Sequence, residues 1–163
     1  MCSDFSLIRF YAMKPYLTKL RFFLFPVLLT LVFIRCEDEQ FVFPHTNFDV
    51  TFDINTQLDN LQQGESIIKN EQNHYGYGGL IIYRVDQGYF RAYDLACTHK
   101  PEKKCILERD EDFDTLFECP CCGSKFMIDN ISGDATVFNG PAKWPLREYR
   151  TSFNPPNQLR VYN

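Results

Sequence analysis

Two short stretches of the chain hold the residues best suited to do chemistry: "CTH" at 97–99 and "CPCC" at 119–122. Each offers soft donors, thiolate or imidazole, spaced so that two side chains of one loop can close on one centre. Nineteen residues separate His99 from Cys119, so the pairs meet only if the fold brings two loops together. Sulfur and imidazole suit zinc or an iron–sulfur cluster and exclude calcium and magnesium, which take oxygen ligands.

With Cys2 and Cys36 set aside, Cys97, Cys105, Cys119, Cys121 and Cys122 remain, an odd number that disulfides alone cannot consume. Two disulfides and one free thiol is the rival arrangement. It gives His99 no reason to stand two residues from Cys97. His45 and His74 read as surface or turn residues, "ERDEDFD" (108–114) as a solvated acidic loop, and Trp144 as a packing residue. The chain has no Gly-rich phosphate loop and no Ser/His/Asp nucleophile set.

The elements that must position these residues read as strands. Sixteen Phe, nine Tyr, nine Pro and eight Gly favour strands and structured loops over helices, and the fold class expected is all-β. "FDVTFDIN" (48–55) alternates apolar and polar residues with the period of a half-buried strand. "LIIYRV" and "YFRAYDLA", separated by Asp86, Gln87 and Gly88, predict a hairpin with a three-residue turn that delivers Cys97 to a loop. "SKFMIDNISGDATVF" predicts a second hairpin, turning around Ser132, Gly133 and Asp134, with Cys119 to Cys122 just before it. The proline-bearing stretches 139–149 and 153–163 follow, the second ending in an expected edge strand, "QLRVY". Helix is limited to a short turn near Asp59 to Leu61.

"CTH" followed by "CPCCGSKF", then "GPA" and "PL", resembles the Rieske [2Fe-2S] domain family over about residues 45–163. The resemblance implies an antiparallel β-sandwich with a small cluster-binding subdomain, and an electron carrier or small oxidoreductase subunit rather than an enzyme by itself. It implies Cys97 and Cys119 on the inner iron and His99 on the outer, with Cys122 standing where the second histidine belongs. It also implies a Cys105–Cys121 disulfide between the cluster loops. Ser124 is kept as a hydrogen-bond donor to the cluster, whereas Phe126 stands where high-potential members carry a tyrosine and Lys100 where they place an apolar cover. "GPAKWP" resembles the proline loop that shields the cluster from a third side. Thiolate in place of imidazole adds negative charge, which lowers the expected potential, and removes a titratable ring, which weakens proton coupling.

At the N-terminus a basic stretch (Lys14, Lys19, Arg21) runs into thirteen uncharged residues, Phe22 to Ile34, the pattern of a signal-peptide h-region. Translation from Met13 would fit the same pattern. Cys36, followed by acidic residues, resembles the lipid-bearing cysteine of a bacterial lipoprotein, although Arg35 stands where that signal has a small residue. Residues 1–36 are thus expected to export the chain, 37–44 to link, and 45–163 to form the domain, placed in the periplasm or at the cell surface. Membrane attachment would come through lipid or an unprocessed segment. Without residues 1–35 the chain keeps twelve Lys/Arg against twenty Asp/Glu, about −8, which would repel nucleic acid. The expected function is one-electron transfer to a redox partner protein through a [2Fe-2S] cluster. The alternatives are a zinc-stabilised or a metal-free binding module. Thiol counting separates the last: two disulfides leave one free thiol, one bridge leaves three.

Overall fold

The computed structural model describes residues 41–70 and 75–163. The export segment, Cys36 and His74 lie outside them. Ten strands follow in order: β1 Asp49–Asp53, β2 Ser66–Lys69, β3 Leu80–Asp86, β4 Tyr89–Asp94, β5 Glu108–Arg109, β6 Leu116–Glu118, β7 Lys125–Ile128, β8 Ala135–Asn139, β9 Glu148–Asn154 and β10 Gln158–Tyr162. They form two antiparallel sheets, β1-β10-β9-β4-β3-β2 and β5-β6-β7-β8. The protein is all-β, as its aromatic and β-branched composition requires.

Strand β3 shows why both sheets hold. Its run "LIIYRV" is buried on both faces: Ile81, Tyr83 and Val85 enter one core, Leu80 and Ile82 another. The first core lies between the sheets and includes Tyr93, Leu107, Phe117, Phe126 and Ile128 together with Cys97 and Cys119. In the second, Phe90 and Ala92 meet Phe52, Tyr149, Leu159 and Val161 from the other half of the same six-stranded sheet, which therefore curls around it. Burying each such large side chain is worth roughly 1.5–3 kcal/mol, so the thiol-bearing loops are rooted in a buried core through Cys97 and Cys119.

Several expectations need correction. "QLRVY" is not at an edge: β10 lies between β1 and β9, and β1 takes the edge. Its alternating Leu159 and Val161 are wholly buried, which an edge position would not demand. The first hairpin turns on Gln87 and Gly88 alone, because Asp86 pairs with Tyr89 after a register irregularity between Arg84 and Asp86. At Asp59 and Asn60 the backbone is left-handed (φ 50° and 54°), so the chain turns there without forming a helix. The helical turn found among the described residues is a 3-10 turn at Pro101–Lys103, inside the first cysteine loop. The acidic stretch 108–114 opens with β5, anchored on β6. No helix among the described residues is long and apolar enough to cross a membrane.

Candidate metal centre

Strand β4 ends at Asp94, and three residues later the chain enters the first loop at Cys97. Asp94 is fully buried and accepts hydrogen bonds from the backbone N–H groups of Ala96 (2.7 Å), Tyr77 (2.6 Å) and Gly78 (3.0 Å) and from the Tyr149 hydroxyl (2.7 Å). Four donors on one carboxylate fix the backbone leading to the loop. Sequence reading missed Asp94; the signal was an acidic residue ending an otherwise apolar strand. Beyond it, Ala96 bridges to Ile106 and the Cys97 N–H bonds the Cys105 carbonyl (2.8 Å), closing the loop. Thr98, also missed, is buried and donates to the Trp144 carbonyl at 2.7 Å, tying this loop to the proline loop.

The second loop joins β6 to β7. Its turn is closed by Cys119 N–H on the Ser124 carbonyl and Gly123 N–H on the Cys119 carbonyl, both 2.8 Å. A disulfide, Cys105–Cys121, staples the two loops together, and Cys97, Cys119 and Cys122 are left as free thiols. Among the described residues this makes one bridge and three thiols.

The three free thiols converge. Their sulfurs all lie within 4.8 Å of one another, with Cys97 Sγ and Cys122 Sγ 3.7 Å apart. Cys97 and Cys119 are buried; Cys122 is half-buried. His99, half-buried, lines the same cavity of about 160 Å³ with Lys100, Lys103 and the disulfide, but its ring nitrogens are not within the group of three sulfurs. Ser124 Oγ accepts the Cys122 S–H at 3.1 Å and the Ala142 N–H at 3.0 Å, and its own O–H is at hand to donate to Cys122 once that thiol is a thiolate. Phe126 is buried beneath and brings no donor.

Burial pushes the Cys97 thiol well up, opposed by the His99 backbone N–H and reinforced by the neighbouring sulfurs of Cys119 and Cys122. Burial also acts on Cys122, but hydrogen bonds from the Ser124 hydroxyl and backbone N–H, with those to Cys119 and Cys97, outweigh it and hold this thiol below the usual range. The site thus favours negative charge at Cys122 over Cys97.

These residues fit an iron–sulfur group by chemistry and by room. Three thiols and an imidazole are soft donors, and no carboxylate belongs to the gathered trio. The cavity is an order of magnitude larger than the about 10–15 Å³ that one water occupies, more than a bare ion needs. The proline loop caps the site: Gly140 (φ 96°) lies so close to the second loop that a Cβ there would stand 2.6 Å from Ser124 Cα. Trp144, expected as a packing residue, stacks on Phe41 while remaining 39% exposed. His45 is exposed and remote from the thiols in sequence and lining.

Two antiparallel sheets whose loops bring thiols and an imidazole around a capped cavity define an all-β protein built for a soft metal centre. Residues 56–150, more than half of the chain, match the sequence model of the Rieske [2Fe-2S] domain, and the chain belongs to that family. Among solved structures it is similar to a candidate NADH-dependent nitrite reductase small subunit from Mycobacterium tuberculosis. That match has 15% identity and a TM-score of 0.39, over 73% of this chain and 97% of that one. No curated protein matches the chain significantly.

Proposed function

We propose that the protein carries single electrons, holding a [2Fe-2S] cluster through Cys97, Cys119, Cys122 and His99. The supporting observation is the convergence of three free thiols, with Cys122 at the position of a family histidine. When bound, such a cluster supplies one-electron oxidation and reduction. Around it, Cys97 and Cys119 exclude water by burial, the Cys105–Cys121 bridge fixes the loop separation, and Ser124 donates a hydrogen bond to the Cys122 thiolate. The extra thiolate lowers the potential relative to a two-histidine centre. We further propose that residues 1–36 export the chain and tether it, through Cys36 or the apolar segment, beside a redox partner protein at the membrane.

The spacing of Cys97 and Cys122 favours a second reading, a structural zinc ion. Zinc–thiolate bonds of about 2.3 Å in a tetrahedron place neighbouring sulfurs about 3.8 Å apart. The 3.7 Å between these sulfurs fits that edge. The test is the full chain purified without oxygen in mild detergent and assayed for iron, sulfide and zinc beside its visible and EPR spectra. Two irons and two sulfides with a reduced-state EPR signal support the electron carrier. A colourless protein holding one zinc, even after cluster reconstitution, sinks it.

A further inference from the structure

Charge on this domain is divided between the cluster loops and everything else. Residues 99–105 and 139–147, the first loop and the proline loop, carry five basic side chains (Lys100, Lys103, Lys104, Lys143 and Arg147) against the single acid Glu102, a formal +4. The rest of residues 41–163 carries seven basic against sixteen acidic residues, −9. Several of those seven are already engaged: Arg91 with Asp134 and Glu148, Arg109 with Asp114, Lys125 with Glu118 and Arg160 with Asp49. Lys100 and Lys103, by contrast, are exposed and form no ion pair among the described residues. Both line the cavity that holds the three thiols and His99.

We propose that the basic collar formed by Lys100 and Lys103 at the cavity mouth is the docking surface for an acidic face on the redox partner. An ammonium group at the cavity mouth resists burial under an apolar surface, because it would lose its hydration without a counter-charge. A carboxylate-rich patch supplies that counter-charge where electrons leave, and the opposite sign of the remaining surface turns the collar toward the partner during encounter. A planar anionic membrane fits less well, since the net −9 of the rest of the domain is repelled by an extended anionic surface. That the occupant is a redox protein rests on the electron-carrier reading; the acidity of its face does not.

The test uses the full chain in neutral detergent with fluorescent poly-L-glutamate as the probe. Binding is expected at low salt and is lost as salt rises. It weakens about tenfold in the double variant Lys100→Glu/Lys103→Glu, in line with two rim charges reversed, while Arg150→Glu on β9 leaves it nearly unchanged. In cluster-loaded protein, oxidation by ferricyanide slows in the double variant and with added salt, whereas oxidation by the cationic hexaammineruthenium(III) does not slow. Equal binding by the double variant and the parent chain overturns the proposal. So does tighter lysine-dependent binding to phosphatidylserine vesicles than to poly-L-glutamate, which makes the occupant a lipid surface. Lysine-dependent polyglutamate binding by a chain that holds no redox-active cluster upholds the acidic docking face and defeats the electron-carrier reading alone. Circular dichroism and the free-thiol count establish that each variant is folded.

Discussion

Gly140→Ala and Gly123→Ala probe the same corner of the site from two sides, and the structure predicts unequal costs. Both glycines are left-handed, with φ of 96° and 70°. A Cβ in that region costs about 1–2 kcal/mol wherever it is placed. At Gly123 nothing lies within 4 Å of the added carbon, so that strain is the whole effect. At Gly140 the carbon would meet Ser124 Cα at 2.6 Å, the Gly123 carbonyl oxygen at 2.9 Å and Ser124 N at 3.0 Å. These are backbone atoms of the second cysteine loop and cannot rotate away. The proline loop must lift, adding about 1–3 kcal/mol of overpacking, and the Ala142 N–H then loses Ser124 Oγ as its acceptor. Gly140→Ala is therefore expected to cost about 2–5 kcal/mol against about 1–2 for Gly123→Ala. Urea unfolding of the metal-free protein measures both, provided the slope is unchanged so that midpoints compare directly. Equal midpoints would refute the close approach of the proline loop to Ser124.

Cys122→His is expected to raise the cluster potential by on the order of 100–300 mV, about half the gap between plant-type and Rieske centres. It should also make the potential fall with pH as a second imidazole titrates; voltammetry reads both, and a lower potential counts against the ligand set. Ser124→Ala removes the donor to Cys122 and should raise that thiol's titration midpoint in metal-free protein, read by iodoacetamide alkylation across pH. Because the folded thiol lies below its unfolded value, its stabilising effect is present above the unfolded value near pH 8.5. That effect is lost as pH falls through the lowered folded value, and Ser124→Ala should shrink it. Opening the Cys105–Cys121 bridge, which spans sixteen positions, should cost about 3 kcal/mol, seen as a lower thermal midpoint in Cys105→Ser/Cys121→Ser.

Sequence reading recovered the elements whose pattern is local. β1 shows its alternation, and the two hairpins around β3–β4 and β7–β8 show apolar runs bounded by turns. It lost β9, seven residues long, because Glu148–Asn154 mixes charged and aromatic residues that answer to a curled sheet rather than to two flat faces. It misplaced β10 because proline nearby suggests an edge, while the actual position depends on pairing with β1 more than a hundred residues earlier. The cysteine boxes were legible because cysteine and histidine are rare residues and here stand tightly spaced. Asp94 and Thr98, which hold the first loop, were not, since their partners Tyr149 and Trp144 are about fifty residues away and only folding brings them together.

His99 decides between one ion and two. The three sulfurs already lie within 4.8 Å of one another, so an ion centred among them is held by three thiolates, with the fourth position open to His99 or to water. In that arrangement His99→Ala costs affinity and leaves the ion in place. In a two-iron centre the imidazole supplies half of the protein's ligands to the outer iron, and among the described residues no other histidine or carboxylate lines the cavity to replace it. His99→Ala should then empty the site of iron and sulfide together while the Cys105–Cys121 disulfide, which is not a ligand, stays formed. Metal analysis of this one variant beside the parent chain is expected to show less than about a tenth of the parent iron, matching loss of a ligand worth more than a factor of ten in affinity. Retention of one metal per chain would assign the trio to a single ion and make the outlying imidazole a neighbour rather than a ligand.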